Sequence, residues 1–185
     1  DVQKFLVEKI SNKKEFLKNL KLFIDGARNK HVPIIYCKVT PFPKGYESPW
    51  RTFMLLKRYG VDSPDKLPKS REPESPESEI STEVSPSNND IVIKKFTPSI
   101  FIGTNFEYIL RNKNIKSVIF TGIATEIGVD SSARDSSNRG FYTVVIRDCV
   151  SSWNKELHNS SLKALENICL VHSASDILAQ WGKAT

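Results

Sequence analysis

Short apolar runs rich in β-branched residues, separated by segments of helical period, constrain this chain more than any other feature. Residues 32–37 (Val-Pro-Ile-Ile-Tyr-Cys), 91–93, 117–121, 142–146 and 168–171 are near-continuous apolar stretches. A strand covered on both faces reads this way, because it has no solvent side on which to alternate. Residues 13–29 instead repeat Phe16, Leu20, Phe23, Ile24 and Ala27 at helical spacing, which buries one face of a helix. Further helices are predicted over 50–59, from a Thr104-x-x-Glu107 capping box to about Arg111, from the turn after 121 to about Arg139, and over 155–167. Gly140 stops the third of these, and Ser175 or Asp176 caps a last short helix. Alternation of this kind predicts an α/β three-layer sandwich around a mostly parallel sheet. A doubly wound sheet normally opens on a strand, whereas this sequence opens on Asp1, so a six-stranded sheet is expected with its first strand upstream of residue 1.

At 185 residues the chain is long enough for one core and too short for two ordinary domains, so 1–185 is expected to be a single domain. The irregular stretch 62–90 holds Pro64, Pro68, Pro73, Pro76 and Pro86 among many Ser and Glu. It is expected to be a long surface loop or a lid over the sheet edge. No run approaches the roughly 18 apolar residues of a membrane span, and Asp1-Val2-Gln3-Lys4 has no signal-peptide pattern. The net charge of +6 comes from scattered basic residues, with no aromatic-interleaved basic stripe, so neither nucleic acid nor membrane is an expected partner. Cys37, Cys149 and Cys169 are widely spaced and read as reduced, packed thiols of a cytoplasmic protein.

Ligands of open α/β sheets sit beyond the carboxyl ends of the strands. That rule selects Asp1 (if a strand precedes it), Lys95, the turn 122–128 and Asp148. A carboxylate beside an ammonium can serve as general acid or base, and the ammonium can stabilise developing negative charge. Lys94 competes with Lys95 for the inward position. Backbone N–H groups from Ala124 to Gly128, opening the next helix, form a candidate anion site. Trp50, Phe101, Phe106 and Trp153 are candidates for pocket lining or for core.

These residues also carry a resemblance. Asp1-Val2-Gln3 resembles the Asp-x-Gln that closes the first strand in the isochorismatase-like family, which includes nicotinamidases and related cysteine hydrolases. Lys95 followed by Ser99-Ile100-Phe101-Ile102-Gly103-Thr104, the turn Thr121-Gly122-Ile123-Ala124-Thr125, then Ala133-Arg134-Asp135, Arg139-Gly140 and Asp148 continue the pattern. The resemblance implies a six-stranded parallel sheet, catalytic Asp1 and Lys95, a binding turn of Ile123, Ala124, Thr125, Glu126 and Gly128, a cis peptide between Ile123 and Ala124, and a homo-oligomer.

The thiol nucleophile of the cysteine-dependent members would fall at Gly128. Neither Cys37 nor Cys149 has a base nearby in sequence, and Ser131 and Ser132 lie one turn into the helix. The isochorismatases also resemble this chain in having Gly at that position, and their enol-ether hydrolysis needs an acid and water, not an acyl-enzyme. Their aromatic-Ala-His run is replaced here by Ala124-Thr125-Glu126, however, so isochorismate itself is not implied. The zinc-binding Asp-x-His pair of nicotinamidases is absent from residues 38–43, and His31, His158 and His172 lack ligand spacing. No metal or other cofactor is expected. The expectation is a thiol-independent hydrolase of a small molecule; a non-catalytic binding homologue and a water-dependent amidohydrolase are the alternatives.

Overall fold

The protein is described here from a computed structural model covering residues 1–43, 45–68 and 75–183. Its strands are β1 (Ile35–Val39), β2 (Ile91–Lys95), β3 (Ser117–Ile123), β4 (Tyr142–Ser151) and β5 (Leu170–His172). Its helices are α1 (Lys4–Val7), α2 (Lys13–Asn29), α3 (Pro49–Tyr59), α4 (Phe106–Asn112), α5 (Asp130–Asn138), α6 (Lys155–Leu165) and α7 (Ala174–Lys183).

Every strand pair is parallel, as the doubly apolar runs predict. Of the expected six strands, the five read within the chain are found among the described residues, in two hydrogen-bonded groups, β1–β2 and β3–β4–β5. Residue 1 lies between the groups: the Ile123 N–H donates to the Asp1 carbonyl at 3.1 Å, and the Asp1 amino group reaches Cys37 Sγ at 3.4 Å. An apolar cavity of about 360 Å³ separates β1 from β3 and is lined by Tyr36, Cys37, Val118, Ile119, Leu20 and Phe106 among others.

Helices cover both faces. Along β4, Val144 and Ile146 join a core with Phe16, Leu20, Phe23 and Ile24 of α2, whereas Val145 joins Val129, Ala133 and Leu165 on the other side. Successive side chains on a strand point to opposite faces, so one apolar run feeds two cores. A third core joins Ile93 and Val118 to Phe106 and Leu110 of α4. Helix α7 docks on α2 through the stacked rings of Phe23 and Trp181, 5.5 Å apart. It fits because residue 26 is glycine: a Cβ there would lie 2.2 Å from Leu178 Cδ2. Arg28, near the end of α2, holds Asp90 just before β2 at 2.6 Å.

Several boundaries differ from expectation for local reasons. β1 starts three residues later, because the Val32 N–H is spent closing α2 on the Ala27 carbonyl and Pro33 has no N–H. β4 runs on through Asp148 to Ser151, its register with β3 jumping from Phe120↔Val145 to Gly122↔Val150, so residues 146–149 form a bulge. The α4 capping box does not form: Thr104 Oγ1 accepts from the Phe106 N–H, while Glu107 pairs with Arg111 and Arg139. The reciprocal box sits on α7, where Ser173 Oγ accepts from the Asp176 N–H and Asp176 accepts from the Ser173 N–H. The cap is therefore Ser173, one turn before the Asp176 that completes it.

The described part of the stretch after α3 packs against the start of the chain. It makes single 3₁₀ turns at Pro64–Lys66, Pro76–Ser78 and Thr82–Val84, and Ile80 and Val84 are buried. Residues 79–81 run antiparallel to the start of the chain, with Lys4 N–H donating to Glu79 O and Ser81 N–H to Val2 O, both at 2.9 Å. Pro73 lies outside the described residues. No helix among the described residues is long and apolar enough to cross a membrane.

Candidate active site

Asp1 and Lys95 meet at 2.7 Å, with side chains only 8% and 2% exposed. Strand alternation decides between the two lysines: Ile93 and Lys95 point inward from β2 and Lys94 outward. Lys95 is the last residue of its strand, and its ammonium also donates to the Pro98 carbonyl at 2.5 Å. Burial pushes that ammonium below the usual lysine range and Arg51 adds to the shift, while the Cys37 thiol opposes it. Asp1 is aimed by its neighbours. Its carbonyl is fixed by Ile123, and two residues on the Gln3 side chain pairs with both the N–H and the carbonyl of Val39 (2.9 and 3.1 Å). Gln3 thus ties the first residues to the edge of β1 and, through the Ser78 carbonyl at 2.9 Å, to the following strap. One Asp1 oxygen holds Lys95; the other, Oδ1, is buried without a hydrogen-bond partner among the described residues.

Gly128 completes this arrangement. A Cβ built on it would stand 3.0 Å from Asp1 Oδ2 and 3.2 Å from Lys95 Nζ. Two other glycine features frame the same place. Gly122, at φ +117°, lets β3 approach the Asp1 backbone, which a Cβ would meet at 3.3 Å. The peptide that follows, Ile123–Ala124, is cis. Beyond it Thr125–Val129 makes a π-helical turn in which Ile127, Gly128 and Val129 all donate to the Ala124 carbonyl. Those three N–H groups are thereby occupied, and only Thr125 and Glu126, opening the turn, lack an acceptor within it.

The remaining predicted residues lie on the other side of the turn. Thr125 is fully buried, with Oγ1 2.8 Å from Nδ1 of His158 on α6. Glu126 accepts from Ser152 at 2.8 Å, and its Oε2 is buried with no hydrogen-bond partner among the described residues. Asp148 lies within β4, where it accepts from the Ala174 N–H at 2.8 Å and so caps α7 rather than facing Lys95. Ser132 accepts from the Ile100 N–H, fixing the loop after β2. Phe101 and Phe106 are core rings in edge contact, Trp50 is exposed against Phe53, and Trp153 lies under the Lys9 ammonium. Helix α3 reaches the site through Arg51, which donates to the Phe96 carbonyl just past Lys95.

Three residues were given no such role from the sequence: Gln3, quoted only as part of the Asp-x-Gln motif, Ser152, and His158, weighed only as a metal ligand. Each works through a partner 26 to 36 positions away, and nothing in local periodicity marks it. Among the described residues no three His, Cys, Asp or Glu side chains converge on a metal-sized site.

The glycine-topped Asp–Lys pair, at the carboxyl end of a parallel sheet, can be compared with known proteins. Residues 1–176 match the Isochorismatase domain family. The chain belongs to the isochorismatase family. It is 37% identical over 93 residues to the isochorismatase family protein YecD of Escherichia coli O157:H7, a match covering 50% of each chain. It is 35% identical over 86 residues to the ureidoacrylate amidohydrolase RutB of Pseudomonas syringae pv. syringae, covering 46% of this chain and 34% of that one. These matches span half or less of the curated relatives' length. The fold is shared with a cysteine hydrolase from Pseudomonas syringae pv. phaseolicola at a TM-score of 0.87 and 15% identity, covering 100% of this chain and 91% of that one.

Proposed function

We propose that this isochorismatase-family chain hydrolyses a small molecule without a thiol nucleophile, using Asp1 as general acid/base and Lys95 as its electrostatic partner. The observation that carries this reading is the division of labour at Asp1, whose Oδ2 is held by Lys95 while Oδ1 has no hydrogen-bond partner among the described residues. An oriented carboxylate with one uncommitted oxygen can take a proton from water or hand one to a leaving group. Lys95 lies where negative charge develops and, being buried, acts through little screening. Gly128 leaves the space over the pair to water or substrate.

The likeness to an enzyme named ureidoacrylate amidohydrolase favours a water-dependent amide hydrolysis as the second reading. Both readings predict turnover in a panel of small amides, ureido acids and vinyl ethers, lost in Asp1→Asn and in Lys95→Ala. The product identifies which bond is cut. Tight binding from the same panel with no turnover in the unmodified protein would replace both with a binding role.

A further inference from the structure

The turn that presents Gly128 to the Asp1–Lys95 pair is held from behind by two side-chain contacts that the proposed chemistry does not use. Ser152 fixes Glu126, and His158 meets Thr125. Thr125 is fully buried, and His158 is its hydroxyl's one hydrogen-bond partner among the described residues. A buried hydroxyl hydrogen needs an acceptor. The arrangement that satisfies it is a neutral imidazole, protonated on Nε2, accepting at Nδ1. A protonated ring would donate from Nδ1 instead and leave the Thr125 hydrogen with nothing to bond.

We propose that His158 is a positioning residue, a neutral clamp that holds the π turn against Asp1 and Lys95 and releases it on protonation. The proposal rests on the hydrolytic reading of that pair. The charges on the elements packed against α6 are few. On the turn is Glu126. On α5 are Asp130, engaged by Arg134 and Ser161, and Asp135, engaged by Arg139. At the end of β5 is His172. Along α6 itself lie Lys155, Glu156 and Lys163. Burial lowers the His158 pKa, and Glu126 opposes that shift.

The test is imidazole and amide NMR of the full chain across pH, with His31→Gln and His172→Gln used for assignment. The expected result has three parts. His158 bears its neutral-form proton on Nε2, it titrates below the ordinary histidine range of about 6.5, and the Gly128 amide moves with the same midpoint. His158→Gln, which keeps a hydrogen-bonding group but cannot titrate, abolishes that movement. Thr125→Val leaves His158 titrating while uncoupling Gly128 from it. A Gly128 amide that stays still while His158 titrates, or a proton on Nδ1 at neutral pH, overturns the proposal. These readouts need no turnover, so they are separate from the fate of Asp1→Asn. Where turnover is found, the His158 step in the acid limb of kcat/KM disappears in His158→Gln, leaving only the limb of Asp1, and an unchanged profile counts against the clamp.

Discussion

Gly128→Ala sets two effects of opposite sign against each other. The backbone at Gly128 is not left-handed, so alanine fits its conformation and recovers about 0.5–1 kcal/mol of the helical cost of glycine. The new methyl, however, lands 3.0 Å from Asp1 Oδ2 and 3.2 Å from Lys95 Nζ. Both are ends of side chains, but neither is loose: they are bonded to each other, and Lys95 is also anchored on the Pro98 carbonyl. At an effective dielectric of about 20, stretching the 2.7 Å pair by about 0.3 Å costs about 0.6 kcal/mol. Overpacking a tight site costs about 1–3 kcal/mol in all, so the clash outweighs the backbone gain. The expected net loss is about 1 kcal/mol, read by calorimetry as a melting midpoint lowered by roughly 2–4 °C. Any turnover falls as well, since the methyl occupies the space above the pair. A midpoint raised by about 2 °C or more would mean that helix propensity had won. The close approach of turn and ion pair would then not constrain residue 128.

Lys95→Met strands a buried carboxylate and is expected to cost about 3–5 kcal/mol in denaturant melts; a loss under about 1 kcal/mol would make the pair solvent-accessible. The Arg28–Asp90 link carries a pH signature. Burial would raise the Asp90 pKa, but the Ser87 N–H and the Arg28 guanidinium outweigh it and hold the carboxyl below its usual range. A depressed folded value means stability fully present above the ordinary carboxylate range and lost as pH falls through the lowered one. Asp90→Asn should therefore flatten the acid side of the stability curve, and an unchanged acid slope would refute the assignment. Burial raises the Cys149 and Cys169 thiols. Iodoacetamide is expected to leave any turnover of Cys37→Ser untouched. Inactivation of that variant would point to a nucleophilic thiol elsewhere.

The residues legible in the sequence are those whose role is set by periodicity. The apolar runs found all five strands because a strand covered on both sides has no other way to look, and β4 serves two cores from one such run. Strand alternation selected Lys95 over Lys94 only once the inward face of β2 was known. Capping failed where two signals competed: Thr104-x-x-Glu107 has the right spacing, but Glu107 has two arginines to answer. Asp148 was placed beyond its strand because a bulge has no local mark in an otherwise apolar run. The back of the Thr125–Val129 turn could not be read at all, since Thr125–His158 and Glu126–Ser152 are brought together by the packing of α6 and β4.

The missing side chain at residue 26 also decides how α7 is seated. Leu178 occupies the notch that Gly26 leaves on α2, and Asp148 pins the first N–H of the same helix from the β4 bulge. One constraint sets the helix's position along its axis and the other its rotation, as a single cut sets a key. Substitutions on the outer face of α7 beyond its capping residue Asp176 are then nearly neutral. A one-residue insertion between Ala174 and Leu178 turns the leucine by about 100°, away from its notch, while Asp148 still holds the helix start in place.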